Sequence, residues 1–247
     1  MAKTGGKTKI QAMILVGGLG TRLKDISKDM PKSMMPVKGI PFLEHVLVHL
    51  KRHRINEIIL CVGHLHGSIE NYFEDGSKWG IKINYSCETR QLGTGGAVKL
   101  AEQFVTGDNF MVLNGDSFLN CNPDKLMRFH VRNHALLTMA LVEIEDTRRY
   151  GTVELNEAGR IIRFSEKTEI SKSSLINAGL YVFNKQIFDY IPAGRDVSLE
   201  QEIFPKIIHE QIFGLADHSY FIDIGTPADY ERAQLDFPGW RNKITDA

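Results

Sequence analysis

Residues 12–23, AMILVGGLGTRL, run from an apolar stretch, Ala12–Val16, straight into the glycine turn Gly17-Gly18-Leu19-Gly20-Thr21-Arg22-Leu23. A short apolar run closed by turn-forming residues reads as a buried strand. Glycines at its end let the backbone approach a ligand closely and aim N–H groups at anionic oxygens. Outward from this stretch, Glu57–Val62, Ile81–Ser86 and Phe110–Leu113 repeat the strand pattern, with helical patterns between them. Pro41 is expected as the first residue of a helix, where its missing N–H costs nothing. Leu43, Val46, Leu47 and Leu50 follow at helical spacing. Asn122-Pro123 and Thr226-Pro227 repeat a cap-then-proline start, and Ser198–Gln201 reads as a capping box. Strand–helix–strand repetition predicts an α/β chain in which helices cover both faces of a mixed, mostly parallel sheet, a three-layer α/β/α arrangement. In the second half, Leu136–Glu143, Thr152–Leu155, Arg160–Phe164, Gly179–Phe183 and Tyr220–Ile224 are expected as strands, some of them antiparallel additions to the same sheet.

The composition excludes several classes. The 247 residues carry 30 Lys plus Arg against 30 Asp plus Glu, a net charge of zero. A duplex nucleic-acid binder carries a basic excess, so no nucleic-acid partner is expected. No apolar run approaches the roughly 20 residues that span a bilayer, and Ala12–Val16 is too short for a secretory signal. Cys61, Cys87 and Cys121 are odd in number and form no CxxC pair, so they read as small buried hydrophobes in a reducing cytoplasm. No linker or internal repeat divides the chain. One domain is expected over residues 10–237, with 1–9 a disordered tail and 238–247 a second tail.

Two standard phosphate motifs fail at the glycine turn. A dinucleotide fingerprint needs a third glycine where Leu23 stands, and a P-loop needs Gly-Lys-Ser/Thr where Gly20-Thr21-Arg22 stands. What remains is a glycine turn that delivers Arg22, followed by Lys32 in Met30-Pro31-Lys32-Ser33. Two cations beside such a turn suit a triphosphate. The plain alternative is a tight strand-to-helix turn with solvated charges. Asp116 follows the strand Phe110–Leu113 through Asn114-Gly115, and Asp223 lies within the apolar stretch Phe221–Ile224. A carboxylate in such a place needs a cation or hydrogen-bond donors. A hard divalent ion, most simply Mg²⁺, answers for both, although sequence alone does not bring positions 116 and 223 together.

Taken together, GGLGTRL, PKSMMPV and PFLEHVL resemble the signature of the sugar-1-phosphate nucleotidyltransferases. The likeness continues in order through ETRQLGTGG (88–96), LNGDS (113–117), Tyr150-Gly151, Glu166-Lys167, Asn177–Gly179 and FIDIGT (221–226). Within that family LGTGGA, RYGTV and FIDIGTPADY are most similar to the D-glycero-α-D-manno-heptose 1-phosphate guanylyltransferases. The resemblance implies a Rossmann-like nucleotidyltransferase fold, with an N-terminal half for the nucleotide and a C-terminal half for the sugar phosphate. It implies substrates that are a nucleoside triphosphate, GTP first among them, and a sugar 1-phosphate. Transfer of the nucleoside monophosphate would release pyrophosphate and form a nucleotide sugar for cell-surface polysaccharide.

The resemblance also assigns roles. Arg22, Lys32 and Asp116 would be catalytic, and Asp116 with Asp223 would hold Mg²⁺. Gly17, Gly18, Gly20, Thr21, Glu88, Gly93 and Gly115 would bind the nucleotide. Tyr150, Gly151, Glu166, Lys167, Asn177 and Gly179 would surround the sugar phosphate, Glu166 accepting from sugar hydroxyls and Lys167 pairing with the phosphate. Two alternatives stay open: the same chemistry on another pair (UTP, dTTP or CTP with a hexose 1-phosphate), or a non-catalytic relative that binds a nucleotide sugar. The short stretch after Thr226-Pro227 is expected to leave no room for an added β-helix acyltransferase domain. His45, His49 and His53 recur every fourth residue opposite the apolar stripe, so a solvated helix face is expected rather than a metal site. His64-Leu65-His66 reads as a plain turn, and Met34 and Met35 as core beside the cleft.

Overall fold

The computed structural model describes residues 10–18, 30–166 and 173–238. Strand β1 (Gln11–Leu15) sits at the middle of a nine-stranded mixed sheet. It pairs in parallel with β4 (Glu57–Val62) on one side and β6 (Asn109–Asn114) on the other, and β5 (Lys82–Cys87) continues the parallel block beyond β4. The small strands β2 (Pro36–Val37) and β3 (Ile40–Pro41) form a separate ribbon. Beyond β6 the sheet turns antiparallel through β11 (Leu175–Asn184), which also pairs with β8 (Leu137–Glu143) and touches β9 (Thr152–Leu155). β10 (Ile161–Ser165) closes the edge beside β9, and β12 (Ile212–Ala216) runs parallel to β8. β8, β9, β10 and β11 are joined by antiparallel pairs, as expected for some of the second-half strands, whereas β12, which the sequence reading did not place, runs parallel to β8. β7 (Ser117–Leu119) and β13 (Phe221–Asp223) differ, because they pair only with each other, off the main sheet.

Side chains on the central strands alternate between two cores, as the period of a pleated strand requires. Ala12, Ile14, Ile58, Leu60, Met111 and Leu113 point to one face; Met13, Ile59, Cys61, Phe110 and Val112 point to the other. The first core is covered by α1 (Phe42–Arg52), α2 (His66–Phe73), α4 (Pro123–Arg132) and α6 (Pro227–Asp236). The second is covered by α3 (Gly93–Leu100), a 3-10 turn at Lys185–Tyr190, a π-helical turn at Leu199–Ile203 and the short α5 (Phe204–Lys206). The three layers follow from this division.

Local signals were read with small shifts. Asn122 and Thr226 cap α4 and α6, accepting from Asp124 N–H at 3.0 Å and Asp229 N–H at 3.3 Å. Pro41 is the residue before α1 rather than its first, because it pairs with Pro36 in the ribbon and is extended there. Ser198 accepts from Gln201 N–H at 3.1 Å, but Glu202 returns the second bond of the box, and the turn it opens is π-helical.

The histidine stripe on α1 is a correction. His45 and His49 are buried, not solvated, because both faces of this helix are covered. His45 Nε2 meets Val37 O at 3.0 Å and packs on Phe237; His49 Nε2 meets Cys121 O at 3.0 Å and packs on Phe118. Phe118 of β7 and Phe237 beyond α6 thus lie over the expected polar face. Cys61 and Cys121 are buried as expected, whereas Cys87 is exposed at the end of β5. Met34 and Met35 are core. His64-Leu65 is a turn, with His66 opening α2.

Candidate active site

A cleft of about 510 Å³ opens along the carboxyl ends of β1, β6 and β4, where ligands bind in open α/β sheets. Its walls include Gly17, Gly18, Lys32, Glu88, Gly93, Gly115, Asp116, Tyr150, Gly151, Glu166, Asn177, Gly179 and Asp223. These are all the expected site residues that lie within the described part of the chain. Gly20, Thr21, Arg22 and Lys167 lie outside the described residues.

The two aspartates meet through the ribbon that sequence reading did not separate from the sheet. β7 begins directly after Asp116, and β13 pairs against it with Asp223 opposite Ser117. Ile224 N–H donates to Asp116 O at 2.9 Å and ties the two segments together. Lys32 Nζ donates to Asp116 Oδ2 at 2.6 Å, with Lys32 15% exposed and Asp116 38%. Asp223 Oδ1 accepts from Gly225 N–H. Burial and the neighbouring Asp116 charge push the Asp223 carboxyl up to about 6, against the opposing pull of Lys32 and the Gly225 N–H. Two neighbouring carboxylates raise each other's cost of ionisation, and Lys32 offsets part of that cost at Asp116.

On one side of this centre, Glu88 follows β5 and lies beneath the glycine turn. A Cβ at Gly17 would fall 2.9 Å from Glu88 Oε1, and one at Gly63 2.6 Å from the same atom. Only glycine lets the carboxylate reach this place. Its other oxygen accepts from Leu92 N–H at 3.2 Å, and burial, offset in part by that bond, raises its pKa. Among the described residues nothing lies within 4 Å of where a Cβ at Gly18 would stand. Gly93 has a φ of +67°, and a Cβ there would fall 2.5 Å from Val197 O. Gly95 N–H donates to that same carbonyl at 2.8 Å, which anchors the start of α3 to the segment before the π-helical turn.

On the other side, the backbone of Gly151 accepts from Asn177 N–H at 2.8 Å, joining the Tyr150-Gly151 turn to β11. A Cβ at Gly151 would fall 3.0 Å from Glu166 Oε2. Asn177 bridges inward: its Oδ1 accepts from Gly179 N–H at 3.0 Å and its Nδ2 donates to Tyr181 OH at 2.7 Å. Burial pushes the Tyr150 phenol up to about 12, helped by Asp223 and Asp229, so it stays a neutral donor.

Several cleft residues escaped sequence reading. Arg149 stacks 5.7 Å from the Tyr150 ring and pairs with the buried Asp229, which also accepts from Thr226 Oγ1 at 2.6 Å. Burial raises the Asp229 carboxyl, but the bonds from Arg149 and Thr226 outweigh it and hold it below its ordinary value. Glu200 accepts from Thr94 Oγ1 at 2.7 Å and Ser198 Oγ at 3.1 Å. Asn114, read only as part of a turn, also lines the cleft. An Arg beside a Tyr and a Glu within a cap carry no sequence signal that separates them from surface charge.

Residues 11–238 match the Nucleotidyl transferase family. The chain is 42% identical to a D-glycero-alpha-D-manno-heptose 1-phosphate guanylyltransferase of Campylobacter jejuni, covering 90% of this chain and 97% of that one. It is 39% identical to a mannose-1-phosphate guanylyltransferase of Mycobacterium tuberculosis over 92% of its own length, but spans only 64% of that relative. Among solved structures, HddC from Yersinia pseudotuberculosis complexed with GMP-PN superposes with a TM-score of 0.82 at 31% identity, covering 92% of this chain and 99% of that one. With the match running nearly end to end, the chain belongs to the nucleotidyl transferase family.

Proposed function

We propose that this enzyme transfers GMP from GTP to D-glycero-α-D-manno-heptose 1-phosphate, releasing pyrophosphate and forming the GDP-sugar. The observation that carries the reaction class is the meeting of Asp116, Asp223 and Lys32 in one cleft, with Glu88 lining it on one side and Glu166 and Asn177 on the other. The choice of substrates is supported by the heptose guanylyltransferase relatives, which match nearly their whole length. The reaction is an in-line displacement: an oxygen of the sugar phosphate attacks the α-phosphorus of the triphosphate, and the bond to pyrophosphate breaks. That oxygen is already ionised near neutral pH, so the protein must chiefly align two anions and offset spreading charge.

Asp116 and Asp223 fit Mg²⁺, which takes one or two carboxylates and completes its shell with water and phosphate oxygens. When bound, the ion supplies charge neutralisation and polarises the α-phosphoryl group. Lys32, already held at Asp116, places a cation where the phosphates converge. Glu88 and the turn at Gly93 form the base side of the cleft; Tyr150, Glu166 and Asn177 form the sugar side. Arg22 and Lys167 are proposed, from the family likeness, to add charge to the triphosphate and sugar-phosphate sides.

The test is pyrophosphate release with Mg²⁺, crossing four nucleoside triphosphates with manno-heptose, mannose and glucose 1-phosphates. GTP with the manno-heptose 1-phosphate is expected to give the highest kcat/KM. A clear preference for mannose 1-phosphate would favour the second reading, which the Mycobacterium relative supports. No release with any pair from folded protein would overturn the transferase reading.

A further inference from the structure

Lys32 and Arg149 are the only cations among the described residues that line the cleft. Lys32 is paired with Asp116 at the carboxylate centre. Arg149 stands apart from it, in the turn between β8 and β9, and its Nη2 donates to Asp229 Oδ2. The Asp229 side chain is 8% exposed against 42% for Arg149, so a buried anion fixes a cation that is open to the cleft. Asp229 is itself locked in place at the start of α6. It accepts from Thr226 Oγ1 at 2.6 Å, and its own N–H donates back to that oxygen at 3.3 Å. A carboxylate anchored in this way sets where the guanidinium stands.

Stability alone does not account for the pair, because desolvation offsets much of the attraction between partly buried charges. A tether between the Tyr150 turn and the segment before α6 needs no charge, and Phe221 already packs on the Tyr150 ring at 5.9 Å. What the pair adds is a guanidinium with donors to spare. Arginine carries five N–H donors. Among the described residues, Arg149 makes its side-chain hydrogen bond to Asp229 alone. Its place names the ligand. On one side Arg149 stacks 5.7 Å from the Tyr150 ring, next to Gly151, which is bonded to Asn177. On the other it is tied to the segment that runs from Asp223 through Thr226 to Asp229. A sugar 1-phosphate must span the same interval, with its ring toward Tyr150 and its phosphate toward the carboxylate centre. The planar fork of a guanidinium matches two oxygens of a phosphate.

We infer that Arg149 receives the phosphate of the sugar 1-phosphate, and that Asp229 is the positioning residue that holds it there. The inference rests on the transferase reading above and adds to it the way in which the attacking phosphate is held. Lys32 serves the triphosphate side of the cleft and Arg149 the acceptor side. A guanidinium that takes two phosphate oxygens leaves another free to meet the α-phosphorus in line.

The experiment compares wild type, Arg149→Met, Arg149→Lys, Asp229→Asn and the Arg149→Met/Asp229→Asn double variant in steady-state kinetics and thermal melts. The double variant leaves no unpaired buried carboxylate, so it serves if Arg149→Met does not fold. In Arg149→Met the KM for the sugar 1-phosphate should rise at least about tenfold, as for lost charged hydrogen bonds, while the KM for the nucleoside triphosphate stays within about twofold. Arg149→Lys should recover part of the loss. Asp229→Asn should raise the same KM by about threefold or more. The double variant should be no worse than Arg149→Met, because Asp229 acts through Arg149. The rise in Arg149→Met should be the same for the preferred sugar 1-phosphate and for its monodeoxy analogues. A rise that vanishes with one analogue would mean that Arg149 reads a hydroxyl, and the inference is overturned. An unchanged KM for the sugar 1-phosphate, or KM values for both substrates rising together with a lower melting temperature, overturns it as well. Normal kinetics in Asp229→Asn would remove Asp229 from its positioning role. If wild type turns over no sugar 1-phosphate at all, the transferase reading itself fails, which the wild-type arm shows on its own.

Discussion

Asp116 shows how much one side chain in the cleft is asked to do. It accepts from Lys32, raises the pKa of Asp223 by its charge, and sits at the hinge between β6 and β7. Asp116→Asn keeps the shape and one acceptor but removes the charge. The fold should survive, because Asp116 is 38% exposed and its ion pair is partly solvated. Turnover should fall at least about a hundredfold, as for the loss of a metal-holding group. Steady-state kinetics beside a thermal melt check both statements; near-normal turnover would remove Asp116 from the metal site. At this scale sequence reading was strongest where a motif fixed the residue, as with Lys32, Asp116 and Asp223. It failed at Arg149 and Glu200, whose roles depend on what they face.

Helices and turns carry the next predictions. His49 on α1 and His130 on α4 are both buried, and desolvation lowers each from its ordinary value to about 4. His130 is spent in a polar network, with Nδ1 2.9 Å from Thr138 Oγ1 and Nε2 3.1 Å from Asn109 Oδ1. A histidine whose pKa is depressed by folding takes up its proton first in the unfolded chain. Stability is therefore full above the unfolded value of about 6.5 and declines as pH falls toward 4, by about 2 kcal/mol per histidine at pH 5. Urea unfolding between pH 7.5 and 4.5 measures this, and His130→Gln should flatten the slope by about one proton. An unchanged slope would show that His130 is not held neutral. The turn at Gly93 gives a second test. Gly93→Ala forces a Cβ into the left-handed region and against Val197 O, so it should cost about 1–2 kcal/mol or more and shift the start of α3. A denaturant midpoint equal to wild type would contradict the strain.

The whole molecule is built on one sheet whose strands send side chains into both cores. β1, β4 and β6 cannot lose one core without loosening the other, so nucleotide and sugar sides should unfold together. Near-UV and far-UV signals are expected to trace one coincident transition in urea. Two separated transitions would mean that the halves fold as independent units. The cleft lies across both halves, which links its geometry to the integrity of the sheet.

The sequence by itself determined the alternation of strands and helices, the parallel start of the sheet, the capped helix starts and the motif residues, because these depend on local periodicity and turn chemistry. Among the described residues it also named both aspartates of the centre. Only the tertiary structure decided that they meet, since the antiparallel β7–β13 ribbon joins segments more than a hundred positions apart. Phe118 of that ribbon packs on His49, while Val37 O and Phe237 enclose His45, so both are buried against the helical pattern. Periodicity reports which face of an element is apolar; which other element comes to lie on that face is a long-range choice made by the packed chain.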